Sequence, residues 1–341
     1  MFNKLGFNRY KINMLLVMLV GVTLTSCGNE NPPTPPTPPA KVYKLLFMDS
    51  KYANGLNVSS TDEANHTTAG KLDYNGTVNA TPFWKIGQWN CMNNDMLKAT
   101  YSFVNNKHTY RVGTMGNMVA VNAADGTITL ENNASTEYGL NGITSNPRKA
   151  LEPWPTLLLE QAISQTRIMK VSDKTEVHMV ASYKVTKLTD KMPIGTTNPS
   201  LHAASFLWYI TIQNRTVGSP EFGKYVWFGL VLHDNRYDYA PAFAAVDGGK
   251  ENNTGAFIYI PDMKPIMSSF GKAQVGKQFN LDVDIMPYIK TALTTAQSRN
   301  FLTKTTLNDL YIGATNIGWE VFGTYDVAVD INSFNIKYCE N

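Results

Sequence analysis

From Lys41 onward, apolar and polar residues alternate over short runs rich in Val, Ile, Tyr, Phe and Thr, the period-two pattern of strands with one buried face. Such runs occupy 43–48, 99–104, 110–112, 127–130, 176–188, 205–214, 225–233, 255–260 and 277–283. Between them lie turn clusters such as Asp125-Gly126 and Asp247-Gly248-Gly249. Residues 310–338 read as three further strands, with Tyr325, Val327, Val329 and Ile331 facing one way and Asp326, Ala328 and Asp330 the other. One segment breaks the alternation. Within 284–301, Ile285, Ile289, Ala292, Leu293 and Ala296 recur at helical spacing, and Pro287 suits a first turn. Many strands and one helix, with no repeat of fixed period, predict an all-β protein: a two-sheet antiparallel β-sandwich carrying a single crossover helix, in one domain over 41–341.

The first forty residues have a different pattern. Lys4, Arg9 and Lys11 precede an apolar run over 14–24, which has the length of a secretory signal and is too short to span a bilayer. The run ends in Leu24-Thr25-Ser26-Cys27, which resembles the lipobox of diacylglyceryl-modified bacterial lipoproteins. This predicts a signal peptide over 1–26 and a lipid on the Cys27 thiol. Acyl chains contribute about 0.8 kcal/mol per buried methylene, so two or more anchor a protein without a transmembrane helix. Residues 27–40 then repeat Pro-Pro-Thr, a polyproline II linker between membrane and domain. Together, the lipobox and the stalk resemble surface lipoproteins of glycan-foraging Bacteroidota, which implies an exported protein on the outer membrane, facing the cell surface.

Charge narrows the partners. The three leader cations equal the formal net charge of +3, so the chain from Cys27 on is neutral. With 17% charged residues and no Lys/Arg cluster, nucleic acid is excluded as an expected partner, and contact with membrane is expected through the anchor alone. Cys91 and Cys339 follow Cys27 in a compartment that permits disulfides, and are a candidate pair. The five histidines are scattered singly, and no Cys/His spacing of a metal site is present. There is no P-loop and no Gly-x-Ser-x-Gly elbow.

The run Gly318-Trp319-Glu320-Val321-Phe322-Gly323 resembles a late strand of the concanavalin A-like lectin and glucanase superfamily, specifically of jelly-roll cellulases and xyloglucanases. That resemblance implies a jelly-roll sandwich and makes Glu320 the candidate acid/base. Those enzymes carry an earlier Glu near a Trp on a central strand, whereas 205–214 has Trp208 and no carboxylate. Glycoside cleavage needs two carboxyls, about 5 Å apart for retention or about 6.5–9.5 Å for inversion. Asp234 is the first candidate partner and Glu160 a further one.

Asp234, Asn235, Asp238 and Asp247 are also oxygen ligands that could wrap a Ca²⁺, although no EF-hand spacing is present; no other cofactor is expected. In a lyase, Arg236, Tyr237, His233 and Tyr239 would serve as clamp and base. Trp84, Trp89 and Trp154 lie in segments rich in Pro, Gly and Asn. With Trp319 they are candidate sugar platforms, aided by Arg236, Asp238, the loop 90–95 and Asn252-Asn253, while Trp208 and Trp227 are assigned to the core.

The reading is an anchored sandwich that binds polysaccharide, with a glycoside hydrolase using Glu320, or a lyase, as the alternative and a structural adhesion protein as the third. Replacing Cys27 with Ser should abolish metabolic lipid labelling and release the protein from the membrane fraction; continued labelling would reject the anchor.

Overall fold

The computed structural model describes residues 41–140, 143–248 and 253–340; the leader, Cys27, the linker and Asn252 lie outside them. The first strands in the chain are β1 (Lys44–Leu45), β2 (Leu56–Ser59), β3 (Thr68–Leu72), β4 (Trp84–Gly87), β5 (Thr100–Val104), β6 (Lys107–Arg111), β7 (Met118–Asn122) and β8 (Thr127–Asn133). Then come β9 (Thr156–Ala162), β10 (Met169–Lys170), β11 (Lys174–Asp190), β12 (Ala204–Asn214), β13 (Tyr225–Asp234), β14 (Phe243–Val246) and β15 (Phe257–Ile260). A short helix α1 (Met263–Met267), β16 (Gln278–Asp284), helix α2 (Met286–Ser298), β17 (Leu310–Val321) and β18 (Tyr325–Glu340) complete the fold.

These strands form the two-sheet β-sandwich expected from the alternation. One sheet runs β16-β11-β18-β8-β7-β6-β5, with β1 beside β18. The other runs β14-β15-β13-β12-β17-β9-β4-β2-β3, with β10 beside β17. Pairing is antiparallel apart from β13 with β15 and β2 with β4, which lie parallel, so the sandwich is mixed at two places. The chain passes from one sheet to the other between β16 and β17, and α2 makes that crossover, touching β11 and β13. Its apolar residues Ile289, Ala292, Leu293 and Ala296 are buried, as their spacing predicted.

The segment 310–338 forms two strands rather than three. The polar pair Asn332-Ser333 does not end β18, because its pairing with β11 shifts register between Ser182–Ser333 and Tyr183–Ile331, leaving Asn332 as a bulge. Inward-facing Tyr325, Val327, Val329 and Ile331 are buried.

The core explains two misassigned tryptophans. Trp84 is 1% exposed, donates its indole N–H to the Asp49 carbonyl at 2.9 Å, and meets Phe47, Tyr52 and Phe334 edge-on or tilted. Trp319 is fully buried against Phe206. Neither can serve as a sugar platform. The candidate pair Cys91 and Cys339 does not form a disulfide, since both thiols are free. Cys91 is buried beside the site sheet, its Sγ donating to the Thr156 carbonyl at 3.1 Å, whereas Cys339 sits on β18 opposite Glu176 in the other sheet.

Trp319→Ala should destabilise the protein by about 3–5 kcal/mol in chemical denaturation, the cost of emptying a core site of that size. A loss below about 0.5 kcal/mol would mean that Trp319 is a surface residue after all.

Candidate functional site

The ten-stranded sheet buries one face in the core and turns the other toward a cleft of about 570 Å³. Register fixes which residues reach it. Along β12, Phe206, Trp208, Ile210 and Ile212 point inward, so Ser205, Leu207 and Tyr209 point out. Their partners follow the same parity. Leu207 lies opposite Gly318 on β17 and Val231 on β13, and Gly318 opposite Leu158 on β9, which makes an apolar floor. One row along, Thr156, Glu320, Ser205 and Asp234 stand side by side across four strands.

Asp234 joins that row because of a bulge. The β12–β13 register skips Leu232 between Phe206–His233 and Leu207–Val231, which turns Asp234 outward where strict alternation would have faced it to the core. Close packing on the floor depends on glycine. A Cβ on Gly318 would lie 2.2 Å from the Leu157 carbonyl oxygen, and one on Gly229 would lie 2.2 Å from the Tyr209 ring, so Gly229 is the seat of that ring. Gly87 likewise makes room for the Glu160 carboxyl.

The aromatic walls come from loops and from outward strand positions. Trp89 is tied to β9 through Thr156: its N–H donates to Oγ1 at 3.1 Å and its carbonyl accepts the Thr156 N–H at 3.0 Å, while His66 meets its ring edge-on at 5.0 Å. Trp154 packs on Phe322 at 4.6 Å and donates its indole N–H to Glu320 Oε2 at 3.2 Å. Trp227, assigned from sequence to the core, lines the cleft with Tyr209 at 6.1 Å. Its neighbour Phe228 takes the inward position instead.

The carboxylates differ in what holds them. Asp234 is 5% exposed; its Oδ1 accepts from the Arg236 N–H and Nε–H, both at 2.9 Å, and its Oδ2 from Arg236 Nη2 at 2.8 Å and Ser205 Oγ at 2.7 Å. Burial pushes this carboxyl up, but the bonds from Arg236 and Ser205 outweigh it and hold the group below the usual carboxylate range. Glu320 stands two strands away on the same face, about 10 Å between Cα atoms from the spacing of paired strands. Asp234 is thus an ion-paired wall residue whose lone pairs are already engaged.

Glu160 pairs with Lys85 at 3.2 Å and is raised by burial, four residues along the sheet from the Glu320 row. Asp247 accepts the N–H and Oγ1–H of Thr254 at 2.8 and 2.6 Å. Asp238 is exposed, pairs with Lys272 at 2.9 Å and does not line the cleft. The acids named as possible Ca²⁺ ligands take separate partners, and among the described residues no group of three or more His, Cys, Asp or Glu comes together.

In the loop 90–95, Asn90 bonds the Trp154 carbonyl at 3.1 Å beside the cleft, whereas two other amides turn inward. Asn93 and Asn94 each give a backbone and a side-chain N–H to the buried Glu137, at 2.7–3.0 Å. Those amides anchor the loop that follows Trp89. Sequence reasoning missed Glu63, His66, Tyr209, Trp227 and Asn316 in the cleft. Tyr209, Trp227 and Asn316 were accessible to parity arguments from their buried neighbours; Glu63 and His66, in a loop, left no such signal.

No family model and no curated protein matches the chain. Among solved structures it is similar to a native family 12 xyloglucanase from Bacillus licheniformis, with 11% identity over 70% of this chain and 97% of that one, TM-score 0.39. It is similar also to the endoglucanase cel12A from Rhodothermus marinus, at 10% identity, 72% and 97% coverage and TM-score 0.38. A family 11 xylanase from Neocallimastix patriciarum matches at 9% identity, 74% and 99% coverage and TM-score 0.36.

The lowered Asp234 carboxyl sets a pH dependence. Its stabilisation is fully present above the ordinary carboxylate range and is lost as pH falls through the depressed folded value. Asp234→Asn should therefore cost about 3 kcal/mol at pH 7, with the gap from wild type narrowing below about pH 4 in parallel urea titrations. A gap that is constant with pH would show that the ion pair contributes nothing.

Proposed function

We propose that this protein is an exported, lipid-anchored β-sandwich that captures polysaccharide in the cleft over its ten-stranded sheet. The observation that carries the reading is the lining: the indoles of Trp89, Trp154 and Trp227 and the carboxylate of Glu320 converge on one concave apolar floor. A pyranose ring offers an apolar face that stacks on an indole and a rim of hydroxyls that bond carboxylates and amides, and a few polar groups in an apolar cleft are how small-ligand sites gain specificity. Anchoring through Cys27 and lifting by the Pro-Thr linker would present that cleft to glycans outside the cell.

Cleavage is the second reading, and Glu320 favours it. This carboxylate sits in the wall beside a tryptophan N–H donor and shares a row with Asp234. Against it stands the occupation of Asp234 by Arg236 and Ser205, since a general base needs a lone pair free for water. Binding without cleavage accounts for both.

A panel of plant and host polysaccharides, run as affinity electrophoresis with parallel detection of new reducing ends, separates these readings. Retardation without reducing ends is expected, with Trp154→Ala weakening it about tenfold. Reducing ends that vanish in Glu320→Gln would establish the hydrolase. Neither signal with any polysaccharide would reject both and leave adhesion.

A further inference from the structure

Trp154 is carried by the irregular stretch 144–155, which has neither strand nor helix to hold it. Its backbone is tied by Asn90 Nδ2, which donates to the Trp154 carbonyl at 3.1 Å, and by the Pro155 carbonyl, which accepts the Val321 N–H at 3.1 Å; the indole ring is met by Arg148. This residue is only 6% exposed, yet among the described residues its guanidinium has no carboxylate as a direct ion-pair partner; Glu152 acts on it from farther off. Nε donates to the Glu152 carbonyl at 3.1 Å and Nη1 to the Leu201 carbonyl at 3.5 Å. The guanidinium carbon stands 5.2 Å from the Trp154 ring centroid and 6.0 Å from that of Phe322. The Arg148 carbonyl in turn takes the Nε2–H of buried His202 at 2.9 Å, a tautomer set by Nδ1, which accepts the Asn198 N–H at 3.0 Å. Arg148 thus ties together the Trp154 loop, the segment before β12, and Phe322, two residues beyond Glu320.

We propose that Arg148 is a positioning residue of the cleft: its guanidinium, fixed by backbone carbonyls, clamps the Trp154 indole by cation–π attraction so that the indole N–H reaches Glu320. Aromatic faces attract a cation most strongly when it is desolvated, and this one is largely out of water. A guanidinium that faced a carboxylate would divide its attraction. Here rings and carbonyls are its nearest partners, and the Glu152 carboxylate acts on it only from beyond ion-pair distance. The consequence for glycan binding rests on the reading given above; the clamp itself is testable with no ligand present.

The test uses the protein labelled with ¹⁵N-tryptophan, whose six indole N–H signals can be followed separately. Trp154→Phe identifies the Trp154 signal. In the wild type, Glu320→Gln should move that signal, because the acceptor of the indole N–H has changed. Arg148→Met should itself move the Trp154 signal and abolish its response to E320Q, while the five other signals stay in place and report an intact fold. Arg148→Lys, which keeps a cation, should retain the response.

An R148M protein whose Trp154 signal still responds to E320Q as in the wild type would overturn the proposal, as would displacement of all six signals together in a folded R148M. If R148M does not fold, R148K decides: loss of the response there would overturn the cation as the clamp. With a polysaccharide that retards the wild type, R148M should weaken retardation about fivefold. Failure of every polysaccharide to retard the wild type would strike the glycan reading and leave the clamp to the indole spectra.

Discussion

Trp319 and Glu320 are neighbours in sequence and occupy opposite worlds: one is sealed in the core between the sheets, the other stands in the cleft wall. The period-two geometry of β17 enforces this division, because burying the indole on one face commits the carboxylate to the other. A one-residue slip in register would drive the carboxylate into the apolar interior and the indole out of it, at a cost that is a large share of the stability of a domain. The core side of the sheet therefore determines the cleft side, residue by residue. Phe206 and Trp208 do the same for Ser205, Leu207 and Tyr209 on β12.

Departures from strict alternation occur where the site needs them. The bulge at Leu232 brings Asp234 and its Arg236 partner to the row of Glu320. Gly318 and Gly229 remove the side chains that would crowd the floor, and so let β9 approach β17 closely and let Tyr209 lie over its neighbour strand. Loops add what strands cannot: Trp89 is bonded to Thr156, and Trp154 is held between Arg148, Phe322 and Glu320. The cleft is thus a strand-built floor with walls drawn from loops and from outward strand positions.

How much of this was legible in sequence follows from the same geometry. β11, β12, β13 and α2 could be read because one periodicity persists over many residues in each. β9 was not, since Leu157, Leu158 and Leu159 are all buried, between the core and the cleft floor, and alternation disappears where both faces are apolar. β2 and β4 are too short to show a period. Glu320, Trp89 and Trp154, named from sequence, line the cleft, whereas composition could not distinguish Trp84 from Trp89, five residues apart in the same kind of segment. Strand parity is the better guide. It would have placed Trp227 outside, from the single fact that Phe228 belongs to the core.

One face of this sheet is core, and the proposal is that the other takes a glycan. Titrating ¹⁵N-tryptophan-labelled protein with an oligosaccharide cut from a retarding polysaccharide tests it most directly. The indole signals of Trp89, Trp154 and Trp227 should move saturably, while those of Trp84, Trp208 and Trp319 stay fixed. Movement of the buried three with the cleft three unchanged would contradict the account.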